Sequence, residues 1–227
     1  MSTLAQLLAA HGCILAIDAA STTVQVGLLR VGQPSLWCSS TDEAGKALFA
    51  LTDETLRAAS LTLADVRAFV FDAGPGSMLG TRTVAMALRT WQALAPRPAY
   101  QFQSLTLLAY ELARAGQSGA VIADARRDTW HVVEFNSPDR VSSLRRVPTT
   151  ELAATVTPLW QPAAFRAWGK SPRATQDRAF DLALLFAAHA DVDLFAATDT
   201  PDAFQHEAPE YKKWSAQVHS AATANPK

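Results

Sequence analysis

The sequence predicts an α/β protein folded as two lobes of like architecture, and three observations carry that reading. The chain has 227 residues, 49% of them hydrophobic and 18% charged. That is enough apolar material for one large domain or two small lobes, and it argues against a disordered chain. A short apolar run, a glycine-rich turn and a helical repeat follow one another between residues 69 and 94, the strand, turn, helix order of an α/β unit. A hairpin, a further strand and a helix then recur in the second half in the order they have in the first, a repeat of element order without a residue-level repeat.

Residues 13–17 are apolar and strand-like, 18–23 are small and polar, and 24–29 alternate again, which reads as a hairpin with a polar turn. A further strand is expected around 35–40. Between 41 and 60, Leu48, Leu51, Thr55, Leu56 and Ala59 fall on one stripe of an amphipathic helix. Thr62 and Asp65 mark a turn or cap before Phe69, Val70 and Phe71, a brief buried strand. After the turn from Asp72 to Gly80, Val84, Leu88, Trp91 and Leu94 recur at helical spacing over 79–95, and Pro96 and Pro98 stop that helix. Residues 104–115 are helical. The second half restarts with a strand at 120–123, a turn at 126–128 and a strand at 130–135. Strands near 144–147 and 165–168 and helices near 150–156 and 177–189 follow. The lobes are expected at 1–103, carrying the glycine-rich turn, and at 104–227, smaller, with a poorly ordered tail over 215–227.

Composition excludes several classes. Twenty Lys and Arg against 21 Asp and Glu leave a net charge of −1, which offers no overall field for gripping polyphosphate. Cys13 and Cys38 are the only cysteines, too few for a disulfide framework or a four-thiolate zinc site, so a reduced compartment is expected. Residues 1–29 hold no lysine or arginine, so a signal peptide would lack its basic start, and no apolar run has the length of a membrane span. A cytoplasmic protein without a membrane partner is expected.

The motifs narrow the chemistry further. Gly74, Gly76 and Gly80 are spaced G-x-G-x-x-x-G, one residue longer than the dinucleotide fingerprint. Such a turn either is purely structural or holds an anion or another protein's backbone near the first N–H groups of its helix. Gly169-Lys170-Ser171 resembles the end of a phosphate-binding loop, but the first glycine of that loop falls on Ala164 and Pro172 obstructs the helix. The five histidines include no i, i+4 pair, and no G-x-S-x-G surrounds a serine, so zinc hydrolase and α/β-hydrolase sites lack an anchor. No metal site is expected. Asp18 beside Ser21, Thr22 and Thr23 is the most enzyme-like spot, able to orient a metal-bound phosphate, and turn chemistry explains it equally well. Asp124-Ala125-Arg126-Arg127-Asp128 occupies the corresponding turn of the second half, where its charges either pair with each other or supply a docking contact. Arg145-Arg146 and Lys212-Lys213 read as solvated faces.

The strand Ile14-Leu15-Ala16-Ile17-Asp18-Ala19-Ala20, then Gly74-Pro75-Gly76-Ser77 with Gly80 and Arg82, then Asp124-Ala125-Arg126-Arg127, resembles the bacterial TsaB family in order and separation. Ser104-Leu105 and Pro209-Glu210-Tyr211 look like further landmarks of that family, so the resemblance covers residues 13–213. It implies an actin-like, Hsp70-like ATPase fold (ASKHA) in two lobes, reduced and lacking a working ATPase or metal site. It further implies a non-catalytic accessory subunit that binds no cofactor by itself. The partners implied are the related catalytic subunit TsaD and the ATPase TsaE, which together place a threonylcarbamoyl group on the tRNA adenosine beside the anticodon. ATP and magnesium then belong to the partner complex, tRNA is met only through it, and a homodimer forms in isolation through comparable helical surfaces. The glycoprotease-like label of the superfamily implies no peptidase, because the catalytic relative's histidine metal motif is absent here.

The family's Gly-Ser-Phe-Thr-Gly-Leu-Arg-Ile-Gly is half kept as Gly76-Ser77-Met78-Leu79-Gly80-Thr81-Arg82-Thr83-Val84. The first helix starts with Glu43-Ala44-Gly45-Lys46 where the family commonly has a histidine, and Tyr211-Lys212-Lys213 stands for Tyr-Leu-Arg. The departures thus fall on the surface the family uses for partners. On this resemblance the interface is expected on the helices at 41–60 and 79–95, at Leu48, Leu51, Leu56, Arg82, Val84, Leu88 and Trp91. Their apolar stripe is more than an internal seam strictly needs, although sequence does not separate seam from interface. Arg82 either reaches an acidic group of a partner or caps its own turn. The motif turns are Asp18, Gly74, Pro75, Gly76, Ser77, Gly80, Asp124 and Arg126. Two other readings stand beside this one: a small actin-fold kinase or ATPase using Asp18, and a divergent TsaB-like paralogue that only self-associates.

Overall fold

A computed structural model describes residues 1–205. The tail expected over 215–227, the Pro209-Glu210-Tyr211 landmark and Lys212-Lys213 lie outside the described residues. The chain opens with α1 (Leu4–His11), capped by Thr3, whose side chain accepts from Gln6 N. This helix is unannounced in the sequence because its single short stripe turns only Leu4 and Leu7 inward.

β1 (Cys13–Asp18), β2 (Val24–Arg30) and β3 (Leu36–Ser40) form an antiparallel meander. They are followed by α2 (Ala44–Ala58), a 3-10 turn at Leu63–Asp65 capped by Thr62, β4 (Ala68–Asp72), α3 (Met78–Leu94), β5 (Ala99–Phe102) and α4 (Ser104–Arg114). β4 runs parallel to β1 and β5 parallel to β4. β1 and β4 are apolar almost throughout because both faces of their sheet are covered. Leu15, Ile17, Phe69 and Phe71 meet α2 and α3 on one side, while Ile14, Ala16 and Val70 meet α1 and the chain's later helix on the other.

The second half comprises β6 (Gly119–Asp124), β7 (Thr129–Ser137), β8 (Arg140–Val141), β9 (Arg145–Pro148), α5 (Thr149–Ala154), β10 (Leu159–Pro162), β11 (Thr175–Arg178), α6 (Leu182–Ala188) and β12 (Ala196–Thr198). The two sheets have the orders β12-β5-β4-β1-β2-β3 and β11-β10-β6-β7-β8, with β9 also paired to β7. In each, a hairpin is extended on one side by antiparallel pairing and on the other by two parallel strands. The repeat of element order therefore extends to strand pairing. α4 fills the seam between the sheets: Leu105, Leu108 and Leu112 pack on the second, and Leu107 belongs to the core beneath the first.

Two local expectations change, and β5 is unannounced. No strand forms at 165–168; the strand is β10, because Leu159 and Trp160 pair with Ala120 and Val121 of β6. The helix expected from 177 begins only at Leu182, where Asp181 caps it by accepting from Ala183 N and Leu184 N, because Thr175–Arg178 is committed to pairing with β10. β5, four residues between Pro98 and Ser104, carries too little pattern to be read beforehand. The first lobe, expected over 1–103, also takes in later chain. β12 pairs with β5, and Leu182, Leu185, Phe186 and Phe195 join Leu4, Leu7 and Phe102 in one cluster. Among the described residues no helix is long and apolar enough to cross a membrane.

Candidate functional site

Adjacent parallel strands bring Asp18 and Asp72 together. Ile17 of β1 pairs with Phe71 of β4, so the two aspartates end their strands side by side, each fully buried. Asp18 Oδ1 accepts from Ala20 N at 2.8 Å and Oδ2 from Gln25 Nε2 at 3.3 Å. Asp72 Oδ1 accepts from Gly74 N at 2.8 Å and Ser104 N at 3.3 Å. Burial pushes the Asp18 carboxyl up to about 6. Burial, and then the charge of Asp18, pushes Asp72 well above the usual carboxylate range. With both groups ionised, Asp72 Oδ2 has no donor. Two carboxyls buried side by side favour a state in which one of them keeps its proton.

The carboxyl ends of parallel strands are where open α/β sheets take ligands. Here the chain's own backbone fills that position. The turn from Gly74 to Gly80, whose Gly74–Pro75 bond is cis, lies on the β1–β2 turn, and Ser77 N donates to Ala20 O at 2.6 Å. A Cβ at Gly76 would collide with the carbonyl oxygen of Ala20, and one at Gly80 with that of Ala19. Glycine is needed at both because two backbones touch there. Ser77 caps α3 by accepting from Gly80 N at 3.2 Å, Ser104 Oγ donates to Pro75 O at 3.2 Å, and Phe204 N donates to Ala73 O at 2.6 Å. Ser21 Oγ donates to Thr23 O at 2.9 Å and accepts from Thr23 N at 3.0 Å, so that hydroxyl is turn chemistry. A ligand bound at Asp18 would meet this packing of the glycine-rich turn on Ala19 and Ala20. Of the readings open to the glycine-rich turn, this contact is the structural one: the turn packs on the chain's own backbone.

The turn in the second half is built alike and left open. Asp124 Oδ1 accepts from Arg126 N at 2.6 Å, the same two-residue reach that Asp18 makes to Ala20. Its Oδ2 accepts from Trp168 N and Gly169 N at 2.7 Å each. Arg126, Arg127 and Asp128 all take left-handed backbone, with φ of 62°, 51° and 56°. The Arg126 guanidinium lies 4.1 Å from the centre of the Trp168 ring. The charges of this turn do not pair with each other: Asp124 binds backbone and Arg126 binds a ring. A cavity of about 400 Å³ opens between the turn and residues 168–170.

Six of the seven expected interface residues face inward. Leu48, Leu51, Leu56, Val84, Leu88 and Trp91 are buried and belong to the core cluster between α2, α3 and the first sheet, with Trp91 5.7 Å from Phe69. An amphipathic stripe turns first to the sheet beneath it. The outward apolar groups are others: Phe49 is 51% exposed, Leu79 64%, Met86 57% and Leu94 80%. Leu79 and Met86 stand two turns apart on one face of α3, a spacing visible in the sequence but off the stripe that marked the helix. Arg82 is exposed and, among the described residues, makes no hydrogen bond or ion pair, so it does not cap its own turn. Asp72 is a further residue whose part went unread, although three apolar strands end alike in Asp18, Asp72 and Asp124.

No family model matches the chain, and neither does any curated protein. Among solved structures it is similar to YeaZ from Pseudomonas aeruginosa, with a TM-score of 0.58 and 22% identity over 78% of this chain and 91% of that one. A second structure, of an uncharacterised protein similar to the peptidase YeaZ from Pseudomonas aeruginosa, gives 0.58 and 22% over 78% and 90%. The chain has the fold of these proteins, the actin-like α/β fold in two lobes.

Proposed function

We propose that the chain is an accessory subunit of the TsaB kind, YeaZ and TsaB being two names for one protein. Its fold, and the order of the Asp18, Gly74–Gly80 and Asp124 turns on that fold, support the family. One observation carries the non-catalytic reading: the backbone of the glycine-rich turn lies on Ala19 and Ala20 where a ligand of Asp18 and Asp72 would sit. A kinase or ATPase built on Asp18 would have to open that packing first. The chain then contributes shape rather than chemistry, with no peptidase activity and no cofactor of its own.

The surface it offers is the outer face of α2 and α3, with Phe49, Leu79 and Met86 exposed and Lys46, Asp53, Arg57 and Arg82 around them. An apolar patch with a charged rim suits a helical partner, and a helix pair packed on an equivalent pair makes a four-helix seam. The partner proposed is TsaD, with TsaE joining the assembly and a homodimer using the same face in isolation. ATP, magnesium and tRNA are met through that assembly, in the cytoplasm. Co-purification with the same organism's TsaD tests the reading. Association at micromolar concentration, lost in Met86→Glu at unchanged melting temperature, is the expected result; no association of the unaltered chain overturns it.

A further inference from the structure

The two pseudo-equivalent turns differ in what lies over them. Above Asp18 the glycine-rich turn fills the space, whereas the segment from Ala163 to Ala174 passes beside Asp124 and leaves a cavity of about 400 Å³, the size range of small-ligand sites. Arg126, Arg127 and Lys170 line it, and none of the three has a carboxylate partner among the described residues. Asp124 forms no ion pair with them, its oxygens being held by three backbone N–H groups, and the lining carries three cations against two carboxylates. Asp128 is the remaining carboxylate of the lining, outnumbered by the cations. Arg126, Arg127 and Asp128, on left-handed backbone, are exposed. Trp168 is 54% exposed and carries Arg126 against its ring.

Forked guanidiniums and an ammonium around a cavity match a phosphate, and an indole already stacked by a guanidinium is a platform for a base. Inorganic phosphate alone would leave the indole unused. We propose that Arg126, Arg127, Lys170 and Trp168 bind a nucleoside monophosphate unit, either free or as one residue of a single-stranded RNA, with Asp128 accepting from ribose hydroxyls. The site stands on this cavity alone and holds whether or not the α2–α3 face docks a partner.

Calorimetric titration of the full chain at low salt with AMP, inorganic phosphate, a short single-stranded RNA and an oligoglutamate peptide tests it. AMP or the RNA should bind with a dissociation constant below about 1 mM and about tenfold tighter than phosphate or the peptide. Arg127→Ala with Lys170→Ala should weaken that binding about tenfold or more at unchanged melting temperature, and binding of the RNA should fall steeply with salt. Trp168→Phe, which keeps a smaller ring, should narrow the preference for AMP over phosphate. RNA binding tighter than AMP assigns the unit to a strand; equal affinity assigns it to the free nucleotide. No binding of either at about 5 mM, equal binding of phosphate or the peptide, or binding indifferent to the double variant overturns the site.

Discussion

Asp18 and Asp72 face each other at the buried ends of two neighbouring parallel strands and accept from Ala20 N, Gln25 Nε2, Gly74 N and Ser104 N. Asp18 fixes the β1–β2 turn through Ala20 N and, through Gln25, the start of α6, since Gln25 Oε1 accepts from Leu182 N at 2.9 Å. Asp72 ties the glycine-rich turn to the first residue of α4. The carboxylate pair thereby ties these turns together.

If that packing closes the site, a single methyl group should disturb it. Gly76→Ala and Gly80→Ala each drive a Cβ into a carbonyl oxygen of Ala20 or Ala19, and the backbones must part. Each should cost about 2–3 kcal/mol, read as a lower melting temperature. Gly45→Ala is the control. Its Cβ meets nothing within 4 Å, and in the first turn of α2 alanine should stabilise by about 0.5–1 kcal/mol. Equal effects at all three positions would refute the close approach.

The fold was largely readable because its central strands and long helices carry strong local patterns. Residues 13–17 and 69–71 are apolar runs ending in aspartate, and the stripes of α2, α3 and α4 repeat cleanly. β11 escaped because Thr-Gln-Asp-Arg has no apolar alternation; it is held by pairing with β10 instead. The site was half legible. Glycine spacing located the turn, but its contact with Ala19 and Ala20 depends on which strands become neighbours, and so does the meeting of Asp18 with Asp72. Helical periodicity gave the phase of an apolar stripe without saying that the sheet already covers it, which is why Leu88 looked like a docking residue and Met86 did not.

That phase distinction is measurable. Leu88 is fully buried and Met86 is 57% exposed, two positions apart on α3. Leu88→Ala should destabilise the chain by about 2–5 kcal/mol. Met86→Glu should leave stability within about 0.5 kcal/mol while shifting the self-association equilibrium toward monomer, followed by light scattering after size exclusion. A destabilised Met86→Glu monomer, or a stable Leu88→Ala protein that loses its dimer, would restore the original assignment.

Glu111 provides a separate anchor between α4 and α6. It meets buried His189 Nε2 at 2.8 Å and Arg178 at 3.3 Å. The hydrogen bond from His189, and then that from Arg178, holds its carboxyl below the usual 4.5. A lowered folded value means that its contribution is present above about pH 4.5 and is lost as the pH falls through the folded value. Glu111→Ala should cost about 1–3 kcal/mol at neutral pH by leaving His189 without its partner. The difference from the unaltered chain should shrink on acidification in paired thermal melts. A difference independent of pH would mean that packing, not the ion, holds the seam.

The aspartate pair predicts the opposite slope. Its folded values lie above the ordinary 3.8, Asp18 at about 6 and Asp72 higher than usual, so between those values the folded chain holds protons that the unfolded chain releases. Stability should therefore fall as pH rises from the ordinary carboxylate range through about 6. Asp72→Asn keeps an oxygen for Gly74 N and Ser104 N and offers an NH₂ to Asp18, removing one buried charge without untying the turns. It should raise the melting temperature by about 3–5 °C near pH 8 and change it little near pH 5. Asp72→Leu accepts from neither N–H and should destabilise at every pH. Together the two variants separate charge from hydrogen bonding. A melting temperature of the unaltered chain that stays level as pH rises through about 6, with Asp72→Asn no better than Asp72→Leu, would mean that neither carboxyl keeps its proton.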